Sequence, residues 1–288
     1  MTRYAFGGDE HVYGELAPEM SLDAFFKGLS ITNLVREAKI KGVTEVCAAN
    51  ASFQVRFDPD VIKPDDMLAL VKELEEEAEH GPQLIETRIV EVPVFYEDPW
   101  TYETLMRFRE RHQDPSGTDL DYTRKINGYA TNAELIAAHH GTPWIISMVG
   151  FVAGLPWLYQ LVEREKQIQS PKYLRPRTDT PKLCVAHGGA FGSIYSVRGA
   201  GGYQMFGVTP LPIYDPSQTQ PHLKENMVLF KPGDFVRYRP IDRATYDAMA
   251  AEVEACRFEA RIGKVRFSLD EYKADRLGTI RKLEGALP

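Results

Sequence analysis

The segment GGAFGSIYSVRGAGGYQMFGVTP, Gly188 to Pro210, holds seven glycines in 23 residues. Glycine lets a backbone turn tightly and approach a ligand closely, so such a run can present N–H donors to a bound group. A barrel corner that needs positive φ explains the same glycines without a ligand. Just upstream, SPKYLRPRTDTP gathers Lys172, Arg175 and Arg177 between prolines. Cations held in a stiff loop suit a carboxylate or a carboxylated ureido group; solvated surface charge is the alternative. His139 and His140 close a helical stretch before Gly-Thr-Pro, where the helix dipole stabilises a histidine, so proton transfer by His139 is the less favoured role. In GFVAGLPWL, Gly150 to Leu158, the glycines beside Phe151 and Trp157 form either a pocket wall or a core strand followed by a turn.

Other signatures of catalysis are missing from the sequence: no GxxxxGK(S/T) phosphate loop, no HExxH, no GxSxG elbow, no Gly/Ser-rich segment of the amidase type. Any nucleotide used in the reaction is therefore expected on another subunit or domain. A Met-Lys-Met segment able to carry covalent biotin is also missing. Cys47, Cys184 and Cys256 are far apart and lack CxxC spacing, so they are expected to be free buried thiols, and no metal site is expected.

The elements that must position these residues fall into four stretches. Residues 1–97 read as a small α/β domain. Ser21 caps a helix bearing Leu22, Phe25, Phe26, Leu29 and Leu34 that ends by Gly42; Phe53, Val55 and Phe57 alternate as a strand; Pro64, Asp65 and Asp66 open a second helix; and Val90, Val92 and Val94 alternate as another strand. This order predicts a small sheet with helices on one face. Residues 98–143 form a helical connecting segment with a loop at Gln113 to Thr118. From 144 to 242, short apolar runs between recurring Gly and Pro have the spacing of an all-β barrel. Residues 243–288 form a tail of helix, strand-like Phe258 to Phe267 and a last charged helix.

A chain of 288 residues with 43% hydrophobic and 26% charged side chains has room for two domains. A net charge of −7 and a pI near 5.6 argue against nucleic-acid binding, which needs clustered Lys and Arg. With no apolar run of membrane-spanning length and no basic-then-apolar start, a cytoplasmic protein without a membrane partner is expected.

Taken in order, GVTEVCAANASFQVRFDP, VPVFYEDP, YTRKINGYATNAELI, MVGFVAGLPWL, PKYLRPRTDTP, GGAFGSIYSVRGAGGYQMFGVTP and KPGDFVRYRPI resemble the allophanate-hydrolase-subunit-1 family, also called the carboxyltransferase C and D family. Within it the chain is most similar to the corresponding segment of urea carboxylase, and the tail RFEARIGKVRFSLDEYKA resembles the piece that follows there. The resemblance implies an α+β fold: a ferredoxin-like N-terminal domain, then a cyclophilin-like β-barrel. It also implies a second carboxyltransferase subunit of the same barrel type, with which the reaction site is formed, and a biotin carboxylase and biotin carrier. Carboxylated biotin, attached to the carrier and not to this chain, would deliver its carboxyl group to a urea nitrogen. Such transfer needs positioning, exclusion of water and donors to the ureido oxygen. On this reading Arg177 and Lys172 donate, Tyr203 and Gln204 orient, the backbone of Gly201 and Gly202 contributes donors, and His139 is a further candidate for proton transfer.

The sequence also departs from the family. Val152-Ala153-Gly154 stands where Pro-Gly commonly follows Gly-Phe, and Ala200-Gly201-Gly202 replaces Pro-Gly-Gly. A glutamine common in the 5-oxoprolinase branch is replaced around Phe191, whereas Gly202-Tyr203-Gln204 fits the urea-carboxylase branch. The B subunit of an ATP-dependent 5-oxoprolinase is one alternative, and a non-catalytic kinase inhibitor is another. Two expectations concern surface. Arg177 is expected to be exposed, and Phe151, Leu155, Trp157 and Leu158 are expected to offer an apolar face to a partner, unless Trp157 lies in the chain's own core.

Overall fold

The computed structural model describes residues 2–81 and 83–288. The chain forms two compact units, one from the segment up to Glu86 with Arg266–Thr279, the other from Thr87–Val265 with Ile280–Pro288. The division falls inside one long strand, not at the 97/98 boundary that the sequence pattern suggested, because Val90, Val92 and Val94 are central to the second unit's core.

In the first unit, β1 (Arg3–Phe6) and β2 (His11–Glu15) precede α1 (Leu22–Glu37), and β3 (Val43–Ala49) and β4 (Ser52–Phe57) precede α2 (Pro64–His80). The sheet order is β1-β2-β4-β3, antiparallel throughout. Ser21 caps α1 as expected, its Oγ accepting from the Ala24 N–H at 3.2 Å. The helix ends at Glu37, earlier than Gly42 implied, because Lys39 itself takes a left-handed conformation (φ 46°). Phe53, Val55 and Phe57 put alternate side chains into a core with Val12, Ile31, Val35, Met67 and Val71. The C-terminal segment returns here: Phe267 stacks on Phe26 at 5.4 Å between centroids, and α7 (Leu269–Ala274) places Lys273 against Asp23.

The second unit is a sheet that closes on itself. Its strands are β5 (Leu84–Tyr96), β6 (Trp144–Val149), β7 (Pro156–Gln160), β9 (Cys184–Gly188), β10 (Phe191–Ile194), β12 (Gln204–Val208), β13 (Phe235–Pro240) and β14 (Ile262–Ser268). The order is β12-β9-β10-β7-β6-β13-β5-β14, and a further β12–β5 pairing closes the seven strands from β12 round to β5 into a ring, which β14 extends from β5. Closure pairs both edges of the strands within the ring. It depends on Gly207, where a Cβ would sit 2.4 Å from the Phe95 carbonyl oxygen. Two short strands, β8 (Arg177–Thr180) and β11 (Gly199–Gly201), pair separately. The connecting segment carries α3 (Pro99–Phe108), α4 (Asp119–Ile126) and α5 (Asn132–His140). The loop expected at Gln113 to Thr118 runs into a capping box in which Thr118 and Asp121 bond reciprocally at the start of α4. In the tail, α6 (Arg243–Glu254) and α8 (Arg276–Glu284) match the expected helices.

One cysteine expectation needs correction. Cys184 is buried, but Cys47 and Cys256 are exposed. Cys47 alternates outward on β3, and Cys256 takes a positive φ just after α6.

Candidate functional site

The turn between β6 and β7, the proline-bounded loop before β8 and the glycine-rich segment converge on one cavity of about 290 Å³. Lys172, Gly201, Gly202 and Tyr203 line it, with Phe151, Leu155, Trp157, Ser193 and Tyr195. Thus four of the residues proposed from sequence meet at one place. The glycines are there for space: a Cβ on Gly201 would lie 2.4 Å from the Tyr195 hydroxyl oxygen, and one on Gly188 would lie 2.3 Å from the Tyr203 ring. Lys172 holds its ammonium over the faces of Tyr203 and Trp157, 5.3 and 6.0 Å from the centroids. Burial raises the Tyr203 phenol pKa, and neighbouring Tyr195 adds to the rise, so Tyr203 is a neutral hydroxyl.

Phe151 forms part of the cavity at a strained position. It has φ 79° and is 69% exposed. A bulky residue in the left-handed region is an outlier, and such strain collects at functional sites. The rest of the expected apolar face is internal. Leu155 and Leu158 are buried, and Trp157 is half-buried, meeting Phe191 and Tyr203 edge-on at 5.6 and 5.8 Å. Of the four residues offered to a partner, Phe151 alone is exposed, because alternation along β7 turns Leu158 into the barrel.

Three other sequence candidates sit elsewhere. Arg177 is fully buried, not exposed: its Nε donates to Thr180 Oγ1 at 3.2 Å, its guanidinium lies 4.4 Å from the Tyr173 ring centroid, and Nη1 and Nη2 have no partner. Pairing of β8 with β11 carries it inward opposite Gly201. Gln204 points away from the cavity. Its Oε1 lies 2.8 Å from His112 Nε2, and its Nε2 donates to the Pro171 carbonyl at 2.8 Å. His139 is in the barrel interior, with Nδ1 2.8 Å from the Tyr96 hydroxyl and its ring stacked on Tyr238 at 4.7 Å. Burial first, then His187, holds its pKa well below the ordinary histidine value, so it is a neutral core residue.

Sequence reasoning missed the buried group that underlies this region. Asp119 accepts from the Tyr173 hydroxyl at 2.5 Å and from the Met205 N–H at 2.6 Å, and lies 3.7 Å from His112 Nε2. Burial raises its pKa, with Arg177 the strongest opposing influence. Asp119 resembles any first-turn acid on a helix, so its sequence gives no sign of burial. It also lines a second cavity of about 340 Å³ with Glu97, Asp98 and Met205. The acids there are already committed, Asp98 accepting from the N–H groups of Trp100 and Thr101, each at 2.9 Å. Among the residues around the first cavity, Trp157 Nε1, Ser193 Oγ and Tyr203 Oη are sealed from solvent and have no partner. Among the described residues no cluster of His, Cys, Asp or Glu is arranged to hold a metal ion.

A closed β-barrel thus carries a largely apolar cavity, with one lysine, beside a glycine-rich corner. Residues 2–224 match the family described as carboxyltransferase domain, subdomain C and D, and the chain belongs to that family. It is 25% identical over 277 residues to a urea amidolyase of Lachancea kluyveri, covering 93% of this chain and 15% of that protein. It is 29% identical over 168 residues to the B subunit of a 5-oxoprolinase of Bacillus subtilis, covering 58% of this chain and 59% of that one. The fold matches the crystal structure of Kluyveromyces lactis urea carboxylase at a TM-score of 0.85 and 20% identity, over 99% of this chain and 26% of that one. The chain therefore spans only a small part of the urea amidolyase that it matches. No helix among the described residues is long and apolar enough to cross a membrane.

Proposed function

We propose that this chain is one half of a biotin-dependent carboxyltransferase that delivers a carboxyl group to a nitrogen of urea or of a urea-like amide or guanidine. The observation that carries this reading is coverage: likeness to a urea amidolyase extends over 93% of the chain, against 58% for the B subunit of a 5-oxoprolinase. On the same reading the first unit is ferredoxin-like and the second cyclophilin-like. The partners are a second barrel-bearing carboxyltransferase subunit or domain, a biotin carboxylase and a biotin carrier, working in the cytoplasm.

The cavity suits the ureido ring of biotin, because apolar walls of Phe151, Leu155 and Pro176 flank the Lys172 ammonium. Biotin, when bound, supplies the carboxyl group to be transferred. The chain's own residues exclude water with Phe151, Leu155 and Trp157, orient the ring with Tyr203, and offer the Lys172 ammonium and the Gly201–Gly202 backbone to developing negative charge. Arg177, Gln204 and His139 act as positioning residues. Arg177 lies against Tyr173 and opposes the raised pKa of Asp119, Gln204 ties Pro171 of the Lys172 loop to His112, and His139 keeps the barrel interior packed.

The test is transfer of labelled bicarbonate to urea by the chain combined with biotin carboxylase, biotin carrier and the second half. Transfer is expected only from the complete set, and Lys172→Ala should lower it about tenfold or more. Turnover of urea by the isolated chain, or full transfer without it, would overturn the reading. A 5-oxoprolinase-type role is favoured by the higher identity of its shorter match. ATP-dependent lactam opening with the corresponding partners would establish that role instead.

A further inference from the structure

Lys172, the charged side chain in the lining of the first cavity, sits on a segment without a ladder of its own: residues 171–176 lie outside the named elements, ahead of β8. What holds that segment lies behind the cavity wall. Tyr173 is buried, whereas its neighbour Lys172 is exposed. The Tyr173 N–H donates to the Gly202 carbonyl at 2.8 Å, and its hydroxyl donates to Asp119 Oδ1 at 2.5 Å. The other oxygen of Asp119 accepts from the Met205 N–H at 2.6 Å, two residues beyond Tyr203, whose ring lies under the Lys172 ammonium. One carboxylate therefore grips both chain segments that set the distance between ammonium and ring. Packing accounts for the Tyr173 ring, which lies in an apolar cluster with Leu105, Cys184 and Tyr195. It does not account for a hydroxyl on that ring or for an acid opposite it, since a carboxylate is costly to bury and a neutral residue would fill the space.

We propose that Asp119 is a positioning residue: by tying Tyr173 to Met205 it fixes the Lys172 ammonium over Tyr203, and it acts on the transferred group only through Lys172. The inference deepens the carboxyltransferase reading and rests on it for the reaction, though not for the geometry. Asp119 itself touches no reacting atom. A lysine is a flexible point charge on a long stem, so a rigid neighbour is what turns it into a directed one. Here the rigidity comes from the first turn of α4, in the connecting segment, and not from the barrel strands.

Tyr173→Phe removes the hydroxyl that Asp119 holds and keeps the buried ring, so it serves even if Asp119→Ala does not fold. Loss of a charge-assisted bond should lower its melting temperature, so both readouts are taken at room temperature on the folded protein. The first is a double-mutant cycle with Lys172→Ala, assayed by transfer of labelled bicarbonate to urea in the complete set of subunits. Tyr173→Phe is expected to lower kcat about fivefold or more with KM for urea unchanged, but to change kcat less than about twofold when Lys172 is already alanine. The second readout needs no transfer. Lysines of the full chain are dimethylated with isotope-labelled methyl groups, which keeps their charge, and the Lys172 signal is identified by its absence from Lys172→Arg. Ring currents of Tyr203 and Trp157 should set it upfield of the exposed lysines, and Tyr173→Phe should return it to their position. Equal factors in the two backgrounds, or a Lys172 signal that Tyr173→Phe does not move, would overturn the proposal. If even the unaltered set transfers no carboxyl group, the carboxyltransferase reading fails, and the Lys172 signal alone decides the positioning.

Discussion

A guanidinium sealed from solvent normally has its nitrogens paired, yet only Nε of Arg177 is, and the buried Asp119 nearby is held by Tyr173 and Met205. Charge and bulk can therefore be separated. Arg177→Ala removes both, and should lower the unfolding free energy by about 3 kcal/mol in denaturant titrations. Arg177→Met keeps the bulk over Tyr173 and should recover most of that loss. Equal loss in both variants would mean that the charge, not the packing, holds the loop. The buried histidines set the response to acid. His187 has its pKa lowered to about 4 by burial, and His139 is depressed in the same direction. Unfolded histidine titrates near 6.5, so below that pH the unfolded chain binds more protons than the folded one. Stability should therefore be complete above about pH 6.5 and fall as the pH drops toward 4, by on the order of 3 kcal/mol for His187 alone. Denaturant titrations at several pH values, repeated for His187→Gln, should show a shallower slope in the variant.

Between elements, one strand position and one turn carry unequal loads. Gly207 has no room for a methyl group, because the neighbours are the backbone of Phe95 and Tyr96 on β5. Gly207→Ala should cost about 1 to 3 kcal/mol and loosen the β12–β5 seam, visible as faster amide exchange along both strands. Phe151→Gly should do the opposite, relieving a positive φ at an exposed position and stabilising the chain by roughly 1 kcal/mol. Much of this architecture was legible. Alternation in Phe53, Val55 and Phe57 and the Ser21 and Pro64 starts read directly, because period and caps are local properties. The hairpin of β1 and β2 was not, since β1 keeps three of its four side chains exposed and half-buries only Tyr4, too little for a pattern. Clustering of Lys172 with the glycine-rich residues was visible as composition. The inward turn of Arg177 and Gln204 was not, because it depends on strand pairings distant in sequence.

For the molecule as a whole, the return of the chain into the first unit is a structural commitment. Phe267 is fully buried there, on Phe26. Phe267→Ala should cost about 3 to 5 kcal/mol, and hydrogen exchange should locate the loss in α1 and its sheet while the barrel strands keep their protection. Uniform loss through both units would show that they unfold as one. The same return has a consequence during synthesis. The ribosome releases residues up to Glu86 first, but the Arg266–Thr279 segment that completes their unit follows only after Thr87–Val265. At typical elongation rates that interval is on the order of ten seconds or more. Throughout it Phe26 lacks its cover, so the nascent N-terminal unit exposes apolar surface to chaperones until the Arg266–Thr279 segment, made after all but the last nine residues of the second unit, has emerged.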